Sequence, residues 1–226
     1  MMTNNPPIIT ETPELARAVE ALHADMLDEH GYVRARPAAE FRAMDRTAFM
    51  IWCYRNARYG LPTVELVAWI KDRIGGRPAI EIGAGMGDLG NALRIPMTDS
   101  GAQDTPELRT YYRAMGQRAI VPPRDVARMG GNAAVASYRP SVVVASWVTQ
   151  RFRPGDTERD IGAFAEGVDE LTLLEHVHTY IFLGNKKVHG DKRILAQPHE
   201  EHALPFLVSR ALAPELDVVW VWERKR

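Results

Sequence analysis

The chain has 226 residues, 46% hydrophobic and 25% charged, a balance that supports a buried core and excludes a wholly disordered, collagen-like or disulfide-scaffold protein. Lys and Arg number 28 against 29 Asp and Glu, and the resulting charge of −1 argues against a general phosphate-binding surface while leaving room for a local basic cleft. The single cysteine, Cys53, has no partner for an internal disulfide and reads, between Trp52 and Tyr54, as a buried thiol. The opening Met1–Pro7 stretch has neither the basic nor the apolar region of a secretory signal. No apolar run approaches the roughly 20 residues that span a bilayer. A cytoplasmic protein without a membrane partner is expected.

In chain order, residues 1–11 read as a flexible lead and 12–76 as a helical cap and substrate region. Thr12 before Pro13 and Glu14 is an N-cap followed by Pro at the first helical position. Leu15, Val19, Leu22, Met26 and Leu27 then recur at helical spacing, with Gly31 placed to stop the helix. The pattern predicts a second helix over 38–59, with Phe41, Met44, Phe49, Trp52 and Cys53 near one face and Gly60-Leu61-Pro62 ending it. Thr63 caps a third, carrying Leu66, Val67, Trp69 and Ile70 up to Gly75-Gly76. From Arg77 the texture changes to short apolar runs at 79–82, 119–121, 141–145, 180–183 and 218–222, separated by helical patterns near 87–94, 106–115, 132–138 and 167–177. Continuous apolar strands alternating with helices predict an α/β domain over 77–226, its mostly parallel sheet covered by helices on both faces.

The stretch Ala79-Ile80-Glu81-Ile82-Gly83-Ala84-Gly85-Met86-Gly87-Asp88-Leu89-Gly90 carries the chemistry. A buried strand enters a glycine-rich turn that opens a helix. Glycines tolerate positive φ and let backbone amides approach a ligand, and a helix N-terminus favours negative groups. Such a turn sits at the carboxyl end of the first strand, where open parallel sheets bind ligands. Gly85-x-Gly87-x-x-Gly90 formally matches the dinucleotide fingerprint, which leaves a nicotinamide oxidoreductase as one alternative. That reading gives Glu81 no task inside a buried strand, where a carboxylate needs partners.

Glu81-x-Gly83-x-Gly85-x-Gly87 resembles the first motif of the class I S-adenosylmethionine-dependent methyltransferases. The resemblance implies a Rossmann-like fold over 77–226, with S-adenosylmethionine held at Glu81, Gly83, Ala84, Gly85, Met86 and Gly87. In that family an acidic residue ending the second strand holds the ribose hydroxyls, which points to Asp99 with Ser100 beside it. A polar residue after the third strand accepts the adenine amino group, which points to Asp125 with Val126 if 119–121 is that strand. Residues after the fourth strand line the methyl-transfer pocket, here Ser146 and Trp147. The Asn/Asp-Pro-Pro-Tyr signature of DNA amino-methyltransferases is absent.

For the acceptor, Tyr54 and Arg55 on the N-terminal helices and Asn185, Lys187 and His189 in the loop after the fifth strand are the candidates. Asp88, His189 and Tyr54 are the residues that could serve as a base; none is singled out as catalytic. The balanced charge favours a small-molecule acceptor over nucleic acid. His176, His178, His189, His199 and His202 crowd the last third of the chain, yet His199-Glu200-Glu201-His202 lacks the spacing of H-E-x-x-H and no metal is expected. A module that binds the cofactor without catalysis is the other alternative.

Overall fold

The computed structural model describes residues 12–152, 163–164 and 166–224; the expected lead at 1–11 lies outside them. Helix α1 (Pro13–Met26) starts as its cap predicts, Thr12 accepting a hydrogen bond from the Leu15 N–H. It stops at Met26, ahead of Gly31, because the chain doubles back there: the Asp28 carboxylate accepts the His30 and Tyr32 N–H groups, and Leu27 bridges Val33. The helix expected over 38–59 is two, α2 (Ala38–Ala43) and α3 (Arg46–Arg55). Asp45 breaks the run by capping α3, its side chain accepting from the Ala48 N–H. α4 (Val64–Ile74) is capped by Thr63 and closed by Gly75 at φ 57°, as the Thr and Gly-Gly signals predict.

The α/β part follows as β1 (Ala79–Ile82), α5 (Asp88–Leu93), β2 (Met97–Asp99), α6 (Pro106–Ala114), β3 (Ala127–Arg128), α7 (Gly131–Tyr138) and β4 (Val142–Ser146). A two-residue pairing of β5 (Gln150–Arg151) with β6 (Ala163–Phe164) stands apart from the main sheet. Then come α8 (Glu170–Leu174), β7 (Thr179–Asn185), the single turn α9 (Lys186–His189), β8 (Glu200–His202) and β9 (Asp217–Glu223). The expected helix over 167–177 is thus confined to α8, and 119–121 is not a strand. The Ile120 N–H is taken by the Gln103 side chain, and Pro122 and Pro123 have no N–H to give a ladder. The third strand is β3 instead.

The main sheet has the order β3-β2-β1-β4-β7-β9-β8. β3 through β7 are parallel, β9 is antiparallel to β7, and β8 is antiparallel to β9. The strand order runs outward in opposite senses from the parallel β1–β4 pair, β2 and β3 to one side and β7 to the other, and this switch point is where a crevice opens beyond the carboxyl ends. Alternate residues serve the two faces. Ile80, Ile82, Val143, Ala145, Tyr180 and Phe182 pack with α7 and α8, while Val142, Val144, Ile181 and Leu183 pack with α4 and α5. Within the helical segment, α4 is therefore a layer of the α/β sandwich, whereas α1, α2 and α3 bury Met26, Phe41, Phe49 and Trp52 in a cluster of their own. Among the described residues no helix is long and apolar enough to cross a membrane.

Candidate cofactor and acceptor site

The turn after β1 takes its shape from glycine. Gly83, Gly85 and Gly87 have φ of 58°, 56° and 81°, the left-handed region that other residues enter at a cost. Two of them close against protein: a Cβ at Gly83 would lie 2.4 Å from Val148 Cγ1, and one at Gly87 would lie 3.0 Å from Tyr32 Cε1. At Gly85 the neighbour is Ile120, at an ordinary 3.4 Å. Side chains far away in sequence thus roof the turn.

Two acidic side chains hold it. Glu81, 1% exposed, accepts the Gly90 N–H at 2.7 Å, and a Cβ at Gly90 would lie 2.6 Å from that same oxygen. Burial pushes the Glu81 carboxyl up to about 8, against the pull of the Gly90 N–H. Asp99, at the end of β2, accepts the Gly85 N–H at 2.9 Å through one oxygen and the Gly101 N–H at 2.7 Å through the other. Ser100, beside it, receives the Ala102 N–H in the following bend.

Asp88 ties the helical segment to this turn. Its carboxylate accepts the Val33 N–H at 2.9 Å and pairs with buried Arg58 at 2.8 Å. Arg58 also donates to the carbonyls of Asn56 and Gly31. Burial raises the Asp88 carboxyl while Arg58 opposes it, and with both oxygens engaged the residue is a tether rather than a base. Asp125 precedes β3, and its carboxylate accepts the Tyr32 hydroxyl. Val126 packs with Tyr32 and Met97 against Gly87. These two are grouped with the turn from its Tyr32 side.

Beyond the turn, a narrow cleft open to solvent is lined by Gly60, Ser146, Trp147, Gly184, Ser209 and Asp217, among others. Trp147 sits at φ 59°, an uncommon conformation for a side chain of its size. Its N–H donates to Leu183 O, and the next carbonyl, Val148 O, accepts the buried Lys192 ammonium at 2.9 Å. Lys192 in turn pairs with buried Glu170 at 2.9 Å, which accepts the Tyr180 hydroxyl at 2.7 Å.

The Trp147 ring meets Tyr59 at 6.0 Å and the edge of His189 at 5.1 Å. His189 Nδ1 accepts the Asn185 N–H at 3.0 Å, and burial, helped by the Lys192 charge, pushes the imidazole down to about 3. It is neutral, with Nδ1 engaged and Nε2 carrying the proton, so it can donate but is not poised as a base. The Asn185 amide donates to Asp217 Oδ1 and Ala213 O, each at 2.8 Å. Lys187 gives its N–H to Asn185 Oδ1. Tyr54 turns to the Arg210 guanidinium, its hydroxyl raised by burial, and Arg55 closes α3 on the exposed side.

Sequence reasoning missed Tyr59, Lys192, Ser209, Arg210 and Asp217. None lies in a motif, and only Tyr59, next to Gly60-Leu61-Pro62, stands near a signal. Among the described residues no group of three or more His, Cys, Asp or Glu could hold a metal ion.

No protein-family model and no curated protein matches the chain. Among solved structures, an rRNA methylase from Escherichia coli is 13% identical at a TM-score of 0.36, covering 95% of this chain and 78% of its own. The hMettl16 catalytic domain in complex with MAT2A 3′UTR hairpin 6 is 13% identical at 0.31, covering 99% of this chain and 96% of its own. Thermoplasma acidophilum 1320 is 11% identical at 0.33, covering 81% of this chain and 92% of its own. The expectation of a small-molecule acceptor over nucleic acid is withdrawn, since these neighbours include an rRNA methylase and a catalytic domain in complex with a 3′UTR hairpin. The physical reason is that a net charge sums the whole chain and does not describe the field at one cleft. The sheet order, the reversed β9 and the glycine turn after β1 carry the assignment of fold: the chain has the Rossmann-like fold of the class I S-adenosylmethionine-dependent methyltransferases.

Proposed function

We propose that the protein is an S-adenosylmethionine-dependent methyltransferase. The observation that carries this reading is the turn after β1, with three left-handed glycines held between the carboxyl groups of Glu81 and Asp99. The chemistry of the surrounding groups fits the cofactor. Asp99 offers acceptor oxygens to ribose hydroxyls, the Ser146 hydroxyl and Asp217 carboxylate offer partners to an ammonium, and the Trp147 and Tyr59 rings suit a sulfonium cation. Glu81 acts through the backbone of the turn. Gly83, Ala84, Gly85 and Met86 supply its close approach, and Asp125 and Val126 support it through Tyr32.

When bound, the cofactor would supply an electrophilic methyl group, which an acceptor nucleophile would take in line as the methyl–sulfur bond breaks and the neutral thioether S-adenosylhomocysteine leaves. The residues of the chain align the two and exclude water. Trp147, pinned between Leu183 O and the Lys192–Val148 contact, forms one wall, and the helical segment, anchored through Asp88, lies beside it as a cap that shapes the acceptor side. Neutral His189 can donate a hydrogen bond through Nε2 but takes no proton at neutral pH.

Calorimetry and thermal melting with S-adenosylhomocysteine test this. The native chain should bind and melt higher, and Gly85→Arg should abolish binding. Asp99→Asn, which keeps an oxygen for the Gly85 N–H, should weaken binding about tenfold or more through the lost charge-assisted hydrogen bonds. No heat and no melting shift with either cofactor or product would overturn the reading. Quenching of protein fluorescence by NADH would favour the oxidoreductase instead.

A further inference from the structure

We propose that Arg210 is an oxyanion-recognition site beside the acceptor cleft, a role that none of the cofactor contacts above requires. Its guanidinium lies over the Tyr59 ring at 3.6 Å and the Tyr54 ring at 4.6 Å, and the residue is 8% exposed. Nη2 donates to the Gln117 side-chain oxygen at 3.1 Å, whereas Nη1 is buried without a hydrogen-bond partner. Among the described residues no carboxylate pairs with it, in contrast to buried Arg58, which has Asp88, and buried Lys192, which has Glu170. Stacked rings and one neutral amide oxygen are weak company for a buried cation. Leaving such a charge uncompensated is costly, and a guanidinium fork is matched in shape and charge by a carboxylate or phosphate.

The location is as specific as the chemistry. The Arg210 N–H donates to Tyr59 O at 2.9 Å, so residues 208–210 run antiparallel to 59–61, and the adjoining Ser209 and Gly60 line the cleft. Tyr59 touches both Arg210 and Trp147. The neutral Gln117 oxygen occupies the place an anion oxygen would take on Nη2, and Nη1 supplies the second prong. Two sources can deliver such an oxyanion: a phosphate of a nucleic-acid acceptor, or the carboxylate of the cofactor. The choice between them rests on the methyltransferase reading; the anion site itself does not.

The test uses the full chain as native protein, Arg210→Gln and Gln117→Ala, followed by thermal melting and calorimetry. Sodium phosphate, against sodium chloride at matched ionic strength, should raise the melting temperature of the native protein. Arg210→Gln should lose that rise and Gln117→Ala should enlarge it, since the competing amide is gone. Two ligand pairs then locate the source. If it is the cofactor carboxylate, the native chain should prefer S-adenosylhomocysteine to 5′-methylthioadenosine beyond what Arg210→Gln retains, by about tenfold. If it is an acceptor phosphate, that preference should persist in Arg210→Gln, while a preference of about tenfold for 5′-AMP over adenosine disappears. Equal responses of native protein and Arg210→Gln to phosphate and to both pairs overturn the proposal. Should Arg210→Gln fail to fold, an unchanged phosphate response in Gln117→Ala overturns it equally. A phosphate response that depends on Arg210, with no nucleoside bound, leaves the anion site standing and sinks the methyltransferase reading.

Discussion

Glu81 shows how a single residue joins stability to site geometry. Its carboxyl is buried inside β1 and raised from an ordinary 4.5 to about 8, with burial the dominant cause. Between those values the unfolded chain releases a proton that the folded chain keeps, so stability falls as pH rises through the window and levels off on either side. Glu81→Gln keeps an oxygen for the Gly90 N–H and removes the titration. Denaturant unfolding from pH 5 to 8 should show the native protein losing about 1 kcal/mol or more relative to this variant as pH rises. A parallel pH dependence of the two would refute the assignment. Glu81 and the glycines were legible in sequence because their spacing is local. Arg210 was not, since its significance lies in two tyrosine rings and an amide from distant parts of the chain.

Among elements, the exit of β4 is held from several sides. Trp147 adopts a left-handed backbone there, held by Leu183 O before it and by Lys192 on the carbonyl after it. Lys192 comes from the turn following α9 and Glu170 from the start of α8, so three segments meet at one strand end. Lys192→Met strands a buried carboxylate and should cost about 3–5 kcal/mol in denaturant unfolding. Adding Glu170→Gln, which removes that charge and can still face Tyr180, should recover at least half of the loss. Strictly additive single effects would show that the pair is not coupled. Helix α1, with its Thr12-Pro13 cap, was readable because a cap and its first turn are neighbours in sequence. β3 was not, being two residues long and defined only by where β2 lies.

At the scale of the whole molecule, the helical segment and the glycine turn are joined through Asp88, which takes the Val33 N–H and the Arg58 side chain from two different points on that segment. Arg58→Met should therefore raise amide hydrogen exchange across residues 27–36 while β4 and β7 stay protected; uniform loosening, or none, would contradict this tether. α4 packs on the sheet rather than with α1–α3, a division the helical texture of 12–76 does not reveal because amphipathic helices look alike whichever core they serve. Periodicity, caps and left-handed glycines act over a few residues, so the sequence by itself determined the α/β class, most of the helix starts and the turn after β1. Tyr32 on Asp125 and Arg210 on Gln117, each pair 93 positions apart, exist only because the sheet order brings their loops together at the carboxyl ends of the strands. Tertiary structure alone decided how the turn is roofed, that Asp88 is spent as a tether, and where a buried cation has no carboxylate partner among the described residues, since each depends on which distant loops the topology makes neighbours.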